Sequence, residues 1–147
     1  MRSIMHDKRE HTCYLCMLLH GDSAEKRCLQ EHHVVFGAAN RKLSERYGLK
    51  VYLCDEHHLE TGGPYAVHRN PEVRNTLCKM AQITFERIYP ELSFRAIFGK
   101  NYIDERDRTL LEDLRQRVEM HKEGFLLMGP GEGIEEDPFY QSLLGNI

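Results

Sequence analysis

Apolar positions recur at helical spacing in two long stretches of this chain and at strand-like density in two short ones. The first helical stretch opens at Asn70-Pro71-Glu72, where an N-cap residue, a proline suited to the first turn and an acid beside the positive end of the helix dipole coincide. It is expected to run from about Pro71 to Tyr89, to bury Val73, Leu77, Met80, Ala81, Phe85 and Ile88, and to end at Tyr89-Pro90. The second, from about Glu105 to Lys122, aligns Leu110, Leu111, Leu114 and Val118 and pairs Asp113 with Arg117 one turn on. Between them, residues 91–102 read as a short helix carrying Phe94, Ile97 and Phe98, with Gly99 at its end.

The two short stretches lie upstream. Arg27 to Phe36 reads as a strand ending at Gly37, and Lys50 to Cys54 as its partner. Gly37 to Asn40 is a loop, and Arg41 to Tyr47 gives one or two helical turns closed by Gly48. Antiparallel pairing of the strands brings His32-His33 close to the Cys54-Asp55-Glu56-His57-His58 run that ends the second strand. Residues 1–12 show no periodicity and read as a loose lead-in. From Gly129 onward the chain has four acids and no base, a composition that suits a flexible tail, with Pro138-Phe139-Tyr140 and Leu143-Leu144 as the segments able to dock.

With 147 residues the chain holds one modest core. No apolar run is long enough to span a bilayer, and the N-terminus has charge and histidine where a signal peptide has its apolar segment, so a cytoplasmic protein is expected. A net charge of −3 argues against a generally DNA-attracting surface, but the charge is unevenly spread. Residues 1–89 carry 13 Lys+Arg against 11 Asp+Glu, whereas residues 90–147 carry 7 against 12. The mild basicity of the first part permits phosphate contact without demanding it.

Five cysteines in a reducing compartment point to metal or redox chemistry rather than a disulfide framework. Cys13 and Cys16 are separated by two residues, as are Cys54 and His57, and two such half-sites suit one tetrahedral zinc ion. A redox pair is expected at a helix start after a strand, and nothing before Cys13 reads as a strand. Cys78 sits in the long helical pattern as a small buried residue, and Cys28 is either packed or a spare ligand. The competing reading of the four knuckle residues is a set of buried thiols with an exposed histidine.

The run Glu31-His32-His33-Val34, the cluster Leu53-Cys54-Asp55-Glu56-His57-His58 and the framing Cys13 and Cys16 resemble HNH endonucleases of the ββα-metal (His-Me finger) class in their zinc-knuckle-bearing form. The longer string from His32 to Ser44, with Tyr47 to Cys54 and Gly63 through Asn70, is similar to small HNH-like proteins of bacteriophages and prophages. The resemblance implies an α+β fold: a small ββα-metal core with a treble-clef-like zinc knuckle over residues 13–102, followed by a helical C-terminal extension (103–128) and the acidic tail (129–147). It implies a metal-dependent DNA endonuclease or nickase. His33 would be the general base, His32 and His58 ligands of a catalytic divalent ion (Mg, Mn, Ni or Zn), and Cys13, Cys16, Cys54 and His57 ligands of a structural zinc, with His57 standing where the family has a fourth cysteine.

Two departures accompany it. The family's central asparagine precedes the second strand, where this chain has Gly48-Leu49, and Asn40 can substitute only if its loop folds back. The helix after the last metal histidine is interrupted by Gly62-Gly63-Pro64, which leaves His68 either a further ligand, a phosphate contact or an exposed loop histidine. Strand alternation sends His32 and His33 to opposite faces, so one of them can also be a packed or surface residue. Arg41, Lys42 and Arg69, with Arg46, are either a solvated basic face or DNA phosphate contacts. His6, His11, His20 and His121 are assigned to the surface. The alternative function is a catalytically inactive, zinc-stabilised nucleic-acid-binding module, or an accessory protein of phage recombination or packaging that docks through the Glu105–Lys122 helix.

Overall fold

The structure, a computed structural model, describes residues 1–59 and 61–122, with the side chains of Arg117, Met120, His121 and Lys122 excepted. The acidic tail with its docking segments, the Asp113–Arg117 pair, the surface position of His121 and the last residues of the C-terminal extension therefore lie outside the described residues. Within them the chain is a mixed α+β structure with one two-stranded sheet and six α-helices.

The sheet pairs β1 (Gln30–His33) antiparallel with β2 (Lys50–Leu53), in the register Gln30↔Leu53, Glu31↔Tyr52, His32↔Val51 and His33↔Lys50. Residues directly opposite share a face, so Glu31, His33, Lys50 and Tyr52 project to one side and Gln30, His32, Val51 and Leu53 to the other. β1 is shorter than its apolar run because β2 offers only four residues, bounded by Leu49 and by the turn at Cys54. Val34 adds one further bond to Leu49 O (3.0 Å), and then Val34 and Val35 are both fully buried, so the alternation of a half-exposed strand has ended.

The helix α1 (Tyr14–His20) was not apparent from the sequence. Its residues Tyr14 to Leu19 are all buried, so it has no polar stripe to show helical periodicity. Cys13 caps its start, the sulfur accepting the Cys16 amide at 3.4 Å, and Gly21 closes it at φ 64°. The helix α2 (Ala38–Tyr47) begins three residues earlier than expected and ends at Gly48 with φ 74°; a Cβ there would lie 2.5 Å from the Arg2 carbonyl oxygen.

The next helix, α3 (Asp55–His58), is a single turn directly after β2. The long helix α4 (Pro71–Ile88) starts as expected, with Asn70 Oδ1 accepting the amides of Glu72 (3.0 Å) and Val73 (3.2 Å). Its buried side runs from Val73 to Phe85, but Ile88, expected in the core, is 48% exposed. At that last turn Tyr89 closes the end instead, its ring packing on Phe85 and Tyr47. The short α5 (Phe94–Phe98) stacks Phe94 on Phe98 and ends at Gly99. A 3₁₀ turn (Glu105–Asp107) leads into α6 (Arg108–Lys122), whose Leu111 and Leu114 are fully buried in the same core as α1 and α4. The expected C-terminal extension therefore shares the core of the preceding elements.

The lead-in is packed rather than loose. Ile4 N donates to Gly48 O (2.9 Å), and His6, expected on the surface, is 2% exposed. Its Nδ1 accepts the amide of Tyr52 at 3.1 Å while its Nε2 lies 2.9 Å from Thr12 Oγ1. The acceptor role of Nδ1 fixes the proton on Nε2, so the ring covers an amide on the outer edge of β2 with both nitrogens satisfied. Lys8–Glu10 forms a 3₁₀ turn, and His11 is exposed. No helix of the described residues is long and apolar enough to cross a membrane.

Candidate metal centre and the adjoining histidine cluster

Four side chains from three elements meet at the junction of α1 with the β2–α3 turn: Cys13 and Cys16 from the first turn of α1, Cys54 from the end of β2 and His57 from α3. His57 Nδ1 lies 3.7 Å from Cys13 Sγ and 3.4 Å from both Cys16 Sγ and Cys54 Sγ, and the last two sulfurs are 3.8 Å apart. Zinc bonds of about 2.3 Å to sulfur and about 2.0–2.1 Å to nitrogen require tetrahedral edges of about 3.8 Å (S···S) and about 3.5 Å (S···N). The cluster fits a structural metal ion and its donors suit zinc. Without a cation the sulfurs cannot ionise together: the hydrogen bond with Cys13, aided by burial, pushes the Cys54 thiol up to about 12. Cys13 does stand at a helix start, as a redox pair would, yet no strand precedes it and two further donors complete the set.

A neighbour of this cluster was missed. His20, assigned to the surface, is half-buried with its Nε2 3.1 Å from His57 Nε2. Since His57 turns Nδ1 to the sulfurs, its Nε2–H is free to donate to His20, the outer contact that metal-binding histidines commonly make. His20 lies four residues after Cys16 on α1, a spacing that puts both on one helix face, and that was the signal available in the sequence.

The residue after His57 enters a second cluster. His58 from α3, His32 from β1 and His68 from the segment before α4 converge, with ring centroids 5.4 Å (His32–His58), 5.2 Å (His32–His68) and 4.9 Å (His58–His68) apart. His68 arrives because the Gly62-Gly63-Pro64 interruption is a re-entrant turn. Gly63 N donates to Glu56 O (2.9 Å), Val67 N to His57 O (2.8 Å) and His68 N to His58 O (3.2 Å). A Cβ on Gly62 would lie 2.6 Å from the carbonyl oxygens of both Asp55 and Glu56, so only glycine allows that approach. Arg69 secures the turn from outside, donating to Gly62 O at 3.2 Å.

His32 is 5% exposed, and its Nε2 is buried without a hydrogen-bond partner. Burial, reinforced by His58 and His68, pushes its pKa down to about 3, and burial with His68 also lowers that of His58. These two rings are thus biased to the neutral form, the form that binds metal. His58 Nδ1 is 2.5 Å from Gln30 Oε1, which orients the ring and leaves Nε2 as the available donor. Three imidazoles with an orphaned nitrogen among them form a set suited to zinc, nickel, cobalt or manganese.

The other face of β1 holds His33, whose Nε2 lies 2.8 Å from Glu45 Oε2 and 3.4 Å from Glu31 Oε1. Asn40 sits in the first turn of α2 and is not among these partners. An open cavity of about 490 Å³ is bordered by His32, His33, His58 and His68 together with Phe36 and Arg41. Arg41 and Lys42 are exposed, and Arg46 lies over the Tyr47 ring. Phe36, 37% exposed, has the guanidinium of Arg74 at 4.9 Å and the ammonium of Lys100 at 5.4 Å from its ring, two cations that sequence reasoning did not connect with the histidines. Cys28 is exposed and outside β1, whereas Cys78 is fully buried with its thiol toward Val34 O.

No family model, curated protein or solved structure matches the chain.

Proposed function

We propose that this chain is a metal-dependent phosphodiester hydrolase of the HNH type, a DNA endonuclease or nickase with a ββα-metal core and a treble-clef-like zinc knuckle. The observation that carries this is the convergence of His32, His58 and His68 around a buried, unpartnered ring nitrogen, beside an open cavity that His33 also borders. The antiparallel β1–β2 pair, connected through α2 and followed directly by the single turn of α3, supports the reading, and the phage-like string supports a phage or prophage origin.

Cys13, Cys16, Cys54 and His57 would hold the structural zinc, which would tie α1 to the β2–α3 turn. His32, His58 and His68 would hold the second divalent ion, which would supply Lewis-acid stabilisation of the charge that develops on phosphate as the leaving 3′ oxygen departs. His33 takes the proton of the attacking water on its unprotonated ring nitrogen. Arg41, on the cavity wall, positions phosphate oxygens, with Lys42 beside it on α2. Arg69 contributes through the turn it secures.

The test is metal content per chain after purification without added metal, followed by nicking of supercoiled plasmid in EDTA, Mg, Mn, Ni and Zn for wild type and His33→Ala. Ion-dependent nicking that falls by about 10²- to 10⁴-fold in the mutant is expected, the usual contribution of a general base. One zinc per chain and no nicking with any ion refutes the proposal in favour of the zinc-stabilised binding module.

A further inference from the structure

The carboxylate of Glu45 occupies an unusual crossing of contacts. One oxygen lies 2.8 Å from His33 Nε2, and Lys50 Nζ reaches both oxygens, at 3.2 and 3.0 Å. Met1's amino group is 3.0 Å from Oε1, and Glu31 lies 3.6 Å from the same Lys50. Two carboxylates and a histidine, Glu31, Glu45 and His33, lie close enough to form a cation site, but the cation is already supplied by the protein, since Lys50 is itself 6% exposed between the two acids.

The hydrogen bond from His33, with those from the amino terminus and Lys50, holds the Glu45 carboxyl down at about 2, so it is an acceptor only. An acceptor at 2.8 Å from Nε2 requires the proton to sit on Nε2. In the neutral ring Nδ1 is then the nitrogen with the free lone pair. Both partners are set by secondary structure: His33 by its place opposite Lys50 in the sheet, Glu45 by the last turn of α2.

We propose that Glu45 is the positioning residue of the hydrolytic site: it holds His33 in the Nε2–H form and in one ring orientation, and so assigns Nδ1 as the atom that accepts the proton of the attacking water. This rests on the nuclease reading of His33. Glu45 does not touch substrate; its effect passes through the ring, as a buried carboxylate acts on the histidine of a hydrolase triad.

The experiment uses the full chain with ¹⁵N-labelled histidine, as wild type, Glu45→Ala and Glu45→Gln, each checked for zinc content and helical signal. Wild type is expected to show a hydrogen-bonded His33 ring proton on Nε2 by one-bond nitrogen coupling. Glu45→Gln, whose amide oxygen still accepts, is expected to retain it, and Glu45→Ala to lose it. In parallel, plasmid nicking at saturating DNA should fall about 10- to 100-fold in Glu45→Ala, the scale seen when the outer support of a functional histidine is removed, and recover in part in Glu45→Gln. DNA affinity without added divalent ion should stay unchanged.

Wild-type nicking with a His33 proton on Nδ1, or Glu45→Ala nicking at the wild-type rate, overturns the proposal and leaves the nuclease reading standing. Absence of nicking in wild type with any ion overturns the nuclease reading and with it Glu45's role in hydrolysis, and the ring-proton spectra of wild type and Glu45→Ala then read separately whether Glu45 holds His33 in the Nε2–H form.

Discussion

Removing the knuckle metal should cost a calculable share of the protein's stability. Cys16 and Cys54 are 38 residues apart in sequence, and an ion bonded to both closes that loop. In the chain-entropy treatment of cross-links, a loop of that length restrains the unfolded chain by about 4 kcal/mol at 25 °C. For a chain of 147 residues, with an unfolding entropy of about 2 cal/mol/K per residue, this corresponds to a fall in Tm of about 13 °C. The assay is thermal unfolding followed by circular dichroism, with metal content measured on the same samples, for native protein, chelator-stripped protein and Cys54→Ser. Both perturbed samples should melt about 10–15 °C lower, and adding reductant alone should change nothing. A stripped sample melting within about 3 °C of the native one, or a fall in Tm with reductant alone, would refute the cross-link argument and return Cys13 and Cys16 to redox chemistry.

Three further outcomes follow from the geometry. Gly62→Ala forces a Cβ against the carbonyls of Asp55 and Glu56, so it should displace His68 and weaken nickel or cobalt binding at the three histidines while leaving the knuckle zinc in place; calorimetric titration after zinc loading reads both. Glu45 has a folded pKa below its ordinary 4.5, so its stabilising contribution is full above about pH 4.5 and lost as pH falls toward 2; the gap in stability between wild type and Glu45→Gln should narrow over that range in denaturant titrations. In native zinc-loaded protein a thiol reagent should label exposed Cys28 quickly and spare Cys78, which burial pushes up to about 12 and which should react only on unfolding; comparable rates by mass spectrometry would contradict its burial.

What the sequence displayed clearly was whatever its neighbours in sequence determine. The start of α4 was visible because Asn70, Pro71 and Glu72 act on amides within one turn, and the ends of α2 and α5 because Gly48 and Gly99 supply a left-handed residue on the spot. The two half-sites of the knuckle were visible because each is a pair within one turn. His6 was not, because its partner amide, Tyr52, is 46 residues away. α1 was hidden because a helix buried on every side has no periodic contrast, and His20 was hidden with it. His68 could be named but not placed, since its approach depends on a glycine turn docking onto backbone carbonyls rather than on its own side chain. Glu45 was overlooked because its relation to His33 exists only once the last turn of α2 has packed back against β1.

The adjacency of His57 and His58 in the single turn of α3 bears on how the chain tolerates changes of length. One imidazole serves the sulfur cluster and the next serves the histidine cluster, while the carbonyls of the same two residues receive Val67 and His68. Inserting or deleting one residue between Cys54 and His58 would rotate both rings by about 100° and shift both carbonyls, spoiling two clusters and the turn at once. The exposed stretch at Ser23–Glu25 carries no such shared duty. Length variants should therefore accumulate there and be absent from the β2–α3 junction, a pattern that a library of single-codon insertions screened for zinc retention would reveal.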